Sequence, residues 1–147
     1  MATAERTAHV QWEGNLAQGN GELTLRSSQA AGPLPITWAS RTERANGKTS
    51  PEELLAAANA ACFSMALSHA LAQAGHAPER LDVTATCTLD KTDDGFKVTT
   101  MKLTVRASVP GIDNDAFLTA ARGAAEGCPI SSAIRGNVDI QLDAALE

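Results

Sequence analysis

Two cysteines carry the chemistry this chain could do, and their settings differ. Cys62 lies in an apolar, alanine-rich run from Leu54 to Leu67 that is introduced by Pro51-Glu52-Glu53, whereas Cys128 is wedged between Gly127 and Pro129. One thiol among small side chains and another on a sharp break suit two sulfurs that must meet once during a reaction. The thiolate is the nucleophile, and a free cysteine titrates near pKa ~8.5, so each sulfur needs a reason to ionise. Cys62 is roughly three turns into its expected helix, too far from the N-terminus for the dipole to help, and apolar neighbours push its pKa up. It needs a cation. No lysine or arginine lies between Lys48 and Arg80, so the cation must come from another part of the fold, and Arg41 and Arg44 just before the helix are the candidates. Cys128 occupies the N-cap position of a turn opened by Pro129, where free backbone N–H groups can stabilise a thiolate directly. On these grounds alone either sulfur could attack first.

The elements that must position these thiols follow from local pattern. Strand-like runs at His9 to Glu13, Glu22 to Arg26 and Ile36 to Ser40, broken by glycine and proline, predict a small antiparallel sheet. Ser50 as N-cap, Pro51 at the first helical position and Glu53 completing a capping box predict a helix from there to about Ala74, stopped by Gly75. Between Leu54 and Leu71 this helix has no polar stripe, so it should be covered on several sides. Leu81, Val83, Ala85, Cys87 and Leu89 alternate with polar residues, Asp93-Asp94-Gly95 turns the chain, and Met101, Leu103, Val105, Ala107 and Val109 form the apolar face of a second strand. That pair is a hairpin. Asp113 caps a second helix through about Glu126 that Gly127 ends, Pro129 opens a short helical turn, and a last strand spans Val138 to Leu142. The fold class is α+β.

At 147 residues the chain is long enough for one domain with a real core, so residues 1–147 are expected to form a single domain. A net charge of -5 without a basic run argues against nucleic acid or an anionic membrane surface as the main partner. No stretch reads as a membrane span, and Met1-Ala2-Thr3-Ala4-Glu5-Arg6 lacks the pattern of a secretory signal, so the expected compartment is the cytoplasm. Three cysteines without close spacing do not form a stapled scaffold or a recognised zinc ligand set. No metal or cofactor is expected.

Several separated motifs, in order, carry a resemblance that covers about His9 to Leu142. They are Trp12-Glu13-Gly14, Pro51-Glu52-Glu53-Leu54, Ala61-Cys62-Phe63, Val109-Pro110-Gly111-Ile112-Asp113 and Gly127-Cys128-Pro129-Ile130-Ser131. Together they resemble the osmotically inducible protein C (OsmC) and organic hydroperoxide resistance (Ohr) family, with Trp-Glu-Gly and Pro-Gly-Ile-Asp pointing to the OsmC branch. The resemblance implies an OsmC-like fold built as an intertwined homodimer, and a cysteine-based peroxidase that reduces organic hydroperoxides in oxidative or osmotic stress. It implies Cys62 as the peroxide-attacking cysteine, Cys128 as the resolving cysteine, Glu52 as the carboxylate that holds the catalytic arginine, and Arg41 rather than Arg44 as that arginine. It also implies a transient Cys62–Cys128 disulfide reduced by an external dithiol, such as a lipoyl or thioredoxin-like protein. Phe63 and Met65 are expected to favour an organic substituent over bare hydrogen peroxide.

One point bears on the dimer without the family. Glu52 and Cys62 on one straight helix are ten steps or ~15 Å apart, so a carboxylate serving Cys62 is expected from a second subunit. Other residues have plainer roles. Cys87 on the apolar face of its strand is structural, Trp12 packs rather than clamps substrate, and His69, ~10 Å along the axis from Cys62, is too far for a cysteine–histidine pair. Two other functions use the same thiols: a non-enzymatic redox sensor or small-ligand carrier, and a cysteine hydrolase, which would need a distant histidine.

Overall fold

Short β-prone runs separated by glycine and proline make up the first part of the computed structural model, which describes residues 1–147 and divides into Met1–Pro51 and Glu52–Glu147. In the first unit β1 (Ala8–Glu13), β2 (Asn20–Leu25) and β3 (Leu34–Ile36) form an antiparallel sheet in the order β1-β2-β3. The register sets Trp12 opposite Gly21, where an added Cβ would meet the indole at 2.9 Å and Ile36 at 3.0 Å. The missing side chain lets the indole lie across the neighbouring strand, which is the packing role expected of Trp12.

The strand expected from Ile36 to Ser40 ends at Ile36, and a short helix, α1 (Trp38–Thr42), follows. Thr37 is its N-cap. The Thr37 hydroxyl accepts from the Ser40 N–H at 3.0 Å, and the Ser40 hydroxyl accepts from the Thr37 N–H at 3.0 Å. This reciprocal cap satisfies two amide donors at once, which outweighs the β preference of so short a segment.

The second unit begins with the long helix α2 (Pro51–Gln73), continues through the hairpin β4 (Arg80–Thr92) and β5 (Gly95–Ser108), then α3 (Asn114–Gly127), α4 (Pro129–Ile134) and β6 (Asp139–Leu146). Proline at the start and two first-turn carboxylates, Glu52 and Glu53, favour the entry to α2. At its other end Gly75 takes φ 85°, the His76 N–H donates to the Leu71 carbonyl at 2.9 Å, and the Gly75 N–H donates to the Ala72 carbonyl at 3.0 Å. These two bonds close the last turn, and only glycine takes that left-handed position cheaply. Asp113 caps α3 by accepting from the Ala116 N–H at 2.8 Å.

The sheet order is β4-β5-β6, with β4 antiparallel and β6 parallel to the central β5. The last strand runs past the expected end at Leu142 to Leu146, because Ala144 and Leu146 continue the period-two pattern beside Val105 and Ala107. Leu103, Val105 and Ala107 project from one face of β5 and, with Val109 just past its end, pack with Phe63, Leu67 and Leu71 of α2 and with Phe117, Ala121 and Ala124 of α3. Full burial of each large member stabilises the fold by roughly 1.5–3 kcal/mol before entropy is counted.

The chain's own elements cover α2 on one side only. Its buried residues, Glu52, Ala56, Asn59, Phe63, Leu67 and Leu71, recur every three or four positions as a single stripe, whereas Ala57, Ala61 and Met65 are exposed, Met65 at 67%. By length and composition α2 is also apolar enough to cross a membrane, contrary to the expectation that no stretch is. Phe63, Leu67 and Leu71 are fully enclosed against the sheet and α3, which makes it the core helix of this unit.

Candidate active site at the cysteine pair

Cys62 projects from the middle of α2 and Cys128 from the junction between α3 and α4, and the two thiols lie close enough for each to shift the other's pKa. The junction is built by one residue serving two helices. The Cys128 N–H donates to the Ala124 carbonyl at 2.9 Å, closing α3, and its carbonyl accepts from the Ser132 N–H at 2.9 Å, opening α4. Gly127 was expected to end α3, but it lies inside the helix and has no left-handed φ. The break falls at Cys128, because the following Pro129 disfavours helical geometry in the residue before it, and Cys128 sits at φ -63°, ψ 121°.

Cys128 is fully buried and Cys62 only half-buried. Burial first, then the hydrogen bond and charge of Cys128, push the Cys62 thiol above its ordinary pKa, and the Ile130 backbone offsets part of this. Burial also pushes Cys128 up, but it is outweighed by hydrogen bonds from Cys62, from the Ser131 backbone and hydroxyl, and from the Ile130 backbone, so Cys128 settles below its ordinary value. The sulfur makes no cap hydrogen bond to the first amides of α4, although the Ile130 and Ser131 backbone lies near enough to favour its thiolate. Two thiols this close titrate as a pair, and the groups around Cys128 favour its charged form more than those around Cys62 do.

Behind Cys128 lies a polar group the sequence reasoning missed. Asn59 is fully buried, and its Nδ2 donates to the Ser131 hydroxyl at 2.9 Å and lies 3.7 Å from the Cys128 sulfur. Its Oδ1 is buried without a donor. A lone amide in an alanine run, one turn before Cys62, was the available signal. Ser131 is likewise fully buried, and although it belongs to the Gly-Cys-Pro-Ile-Ser motif no role had been assigned to it.

The other expected site residues are placed as follows. Arg41 lies in α1 of the first unit, with its guanidinium 5.8 Å from the centre of the Trp38 ring, within cation–π range. Glu52 is buried in the first turn of α2, close enough to Cys87 for its charge to add to the rise that burial causes in that thiol's pKa. Phe63 is fully enclosed in the core, because one residue along a helix turns the side chain by about 100°. It faces the sheet and α3 in the core. Met65 lines an open groove of about 600 Å³ with Ser64, Ser68, His69, Arg80 and Leu81. Cys87 stands opposite Met101 in the hairpin, half-buried as a structural cysteine would be.

A family profile described as OsmC-like protein matches residues 44–143. A peroxiredoxin OsmC from Escherichia coli (strain K12) is 39% identical over 142 residues, covering 95% of this chain and 98% of the relative. The organic hydroperoxide resistance protein OhrB of Bacillus subtilis (strain 168) is 35% identical over 144 residues, covering 97% of each chain. The crystal structure of Bacillus subtilis OhrB superposes with a TM-score of 0.74 at 30% identity, covering 95% of this chain and 98% of that one. An organic hydroperoxide resistance protein OsmC from Legionella pneumophila superposes with a TM-score of 0.70 at 28% identity, covering 99% of each chain.

Proposed function

The chain belongs to the OsmC-like family, and from that premise we propose that it is a thiol peroxidase that reduces organic hydroperoxides to alcohols. Its role is a peroxide-related redox one, as the names of its relatives, peroxiredoxin OsmC and organic hydroperoxide resistance protein, support. The observation that carries the proposal is the nearness of two thiols from elements far apart in sequence: each shifts the other's pKa, and Asn59, one turn before Cys62, reaches to 3.7 Å from the Cys128 sulfur.

In the proposed cycle the Cys62 thiolate attacks the outer oxygen of ROOH. The O–O bond breaks, the alkoxide takes a proton to leave as ROH, and Cys62 becomes a sulfenic acid. Cys128 displaces that hydroxyl as water and forms the Cys62–Cys128 disulfide, which an external dithiol reduces in two exchange steps. Half-exposure gives Cys62 the access for the first step, and the enclosure of Cys128 reserves it for the second. Because Cys62 is raised by burial and by its partner thiol, it needs a guanidinium to ionise, and Arg41, held by Glu52, is assigned that part. Met65 and the apolar surface of α2 favour an organic substituent. The two units form one peroxidase domain, working in the cytoplasm as an intertwined homodimer, with the exposed Ala57, Ala61 and Met65 side of α2 covered by the second copy.

The test is steady-state consumption of cumene hydroperoxide and hydrogen peroxide with a dithiol, by the parent protein, Cys62→Ser and Cys128→Ser, with intact mass before and after peroxide. The parent should turn over, faster on cumene hydroperoxide, and lose two hydrogens in mass when oxidised. Cys62→Ser should be inactive, and Cys128→Ser should accumulate a trappable sulfenic acid or overoxidised species. Turnover by Cys62→Ser, or no consumption by the parent, refutes the assignment.

A further inference from the structure

The amide of Asn59 is held in the core at a cost. Its Oδ1 is buried with no donor, an arrangement that a leucine or alanine at this position would avoid. What the position gains is its donor end, since the two Nδ2 hydrogens match two acceptors, the Ser131 hydroxyl at 2.9 Å and the Cys128 sulfur at 3.7 Å. Because the Ser131 oxygen accepts from Asn59, its own hydrogen is free to point elsewhere, and Ser131, three residues after Cys128 in α4, stands near enough to help lower that thiol's pKa. Asn59, Ser131 and Cys128 are all fully buried, so water competes for none of these contacts. The other titratable group against the sulfur is Cys62.

Building on the proposed peroxidase cycle, we propose that Asn59 and Ser131 are positioning residues that hold Cys128 as the departing thiolate when the disulfide is reduced, and so direct the incoming thiol to Cys62. In that step the external thiolate attacks the Cys62 sulfur and forms a new S–S bond to it. The Cys62–Cys128 bond breaks with its electron pair moving to Cys128, and the donors of Asn59, Ser131 and the α4 backbone receive the charge. The second thiol of the dithiol, once deprotonated, then attacks its own sulfur in the mixed disulfide and releases Cys62 as a thiolate. Exchange is faster when the leaving sulfur is the better-stabilised thiolate and the attacked sulfur the more accessible one. Both conditions select the half-exposed Cys62 for attack and the enclosed Cys128 for departure.

The test reads ionisation and exchange without any peroxide. In a Cys62→Ser background with Cys87 also replaced by serine, Cys128 is titrated by its ultraviolet thiolate absorbance. Adding Asn59→Leu, or Ser131→Ala, should lower the thiolate fraction on the rising part of the curve by about tenfold, as expected for a lost bond to a charged acceptor. Ser131→Thr, which keeps the hydroxyl, should restore it. In otherwise unmodified protein, preformed disulfide should be reduced by dithiothreitol several-fold more slowly in Asn59→Leu and in Ser131→Ala than in the parent. Offered a small symmetrical disulfide, whose second half leaves as a thiolate, the protein should form a mixed disulfide on Cys62 in Cys128→Ser and not on Cys128 in Cys62→Ser. If Asn59→Leu does not fold, Ser131→Ala and its threonine rescue decide the matter. Unchanged titration with unchanged reduction rates, or a mixed disulfide on Cys128, overturns the proposal. Failure of the parent to consume hydroperoxide would overturn only the peroxidase cycle, because none of these readouts uses it.

Discussion

Phe63→Ala separates two roles for the residue next to the reactive thiol. Phe63 is fully buried among the side chains of α2, β5 and α3. Truncating it removes the apolar area of a ring and leaves a cavity that its neighbours fill only in part. Such changes cost about 3–5 kcal/mol, a large share of the ~5–15 kcal/mol that holds a domain folded. At roughly 2–4 °C per kcal/mol for a chain near this size, the melting temperature should fall by about 6–20 °C. Urea unfolding followed by far-ultraviolet circular dichroism at one fixed protein concentration would measure the loss, and Phe63→Leu should cost less than ~1.5 kcal/mol because it keeps most of the volume. A residue that lined a substrate site would behave differently: stability would change by less than ~0.5 kcal/mol, and the KM for a bulky hydroperoxide would rise while that for hydrogen peroxide held. That second pattern would refute the core placement argued from the packing.

Met65 is exposed beside the groove, so Met65→Ser should leave the stability of the chain's own core within ~0.5 kcal/mol and lower kcat/KM for cumene hydroperoxide about tenfold, as steady-state kinetics would show. Arg41→Ala should reduce kcat/KM by about 10²–10³, as loss of a donor aimed at developing charge does, whereas Arg44→Ala should stay near the parent; the reverse result would exchange their roles. The Asp143 carboxyl, held by the Arg106 guanidinium at 3.0 Å, sits below the usual carboxylate range. A carboxylate lowered by folding adds stability that is present above its unfolded pKa of ~3.9 and is lost as pH falls through the lower folded value. Arg106→Gln should therefore destabilise slightly above that range, with the difference vanishing in stronger acid and in high salt. A difference that persisted in acid would contradict the sign.

Those elements that rest on a single strong local signal were legible in the sequence. Pro51 with its two carboxylates, Gly75, the Asp113 cap and the alternation in the hairpin each have one dominant physical cause, and each element stands where that cause puts it. Elements decided by competition were harder. Thr37 to Ser40 resembles a strand by composition but is a helix start, because the partner three residues on is a serine, and the far end of β6 owes its length to pairing with β5. The apolar surround of α2 was plain, although which side the chain itself covers depends on the strands packed against it. At the site, both cysteines could be picked out from their settings, and the break in the chain at Cys128 from the proline beside it. Asn59 stands out as a lone amide among alanines, but its partners could not be read, since they are some seventy residues away.

The double duty of Cys128, last bonded residue of one helix and cap of the next, ties sulfur chemistry to backbone order. Any shift of that sulfur bears on the amide that seals α3 and on the carbonyl that starts α4, so amide exchange of Cys128 and Ser132, protected by those two bonds, is the place to read whether the thiols have joined.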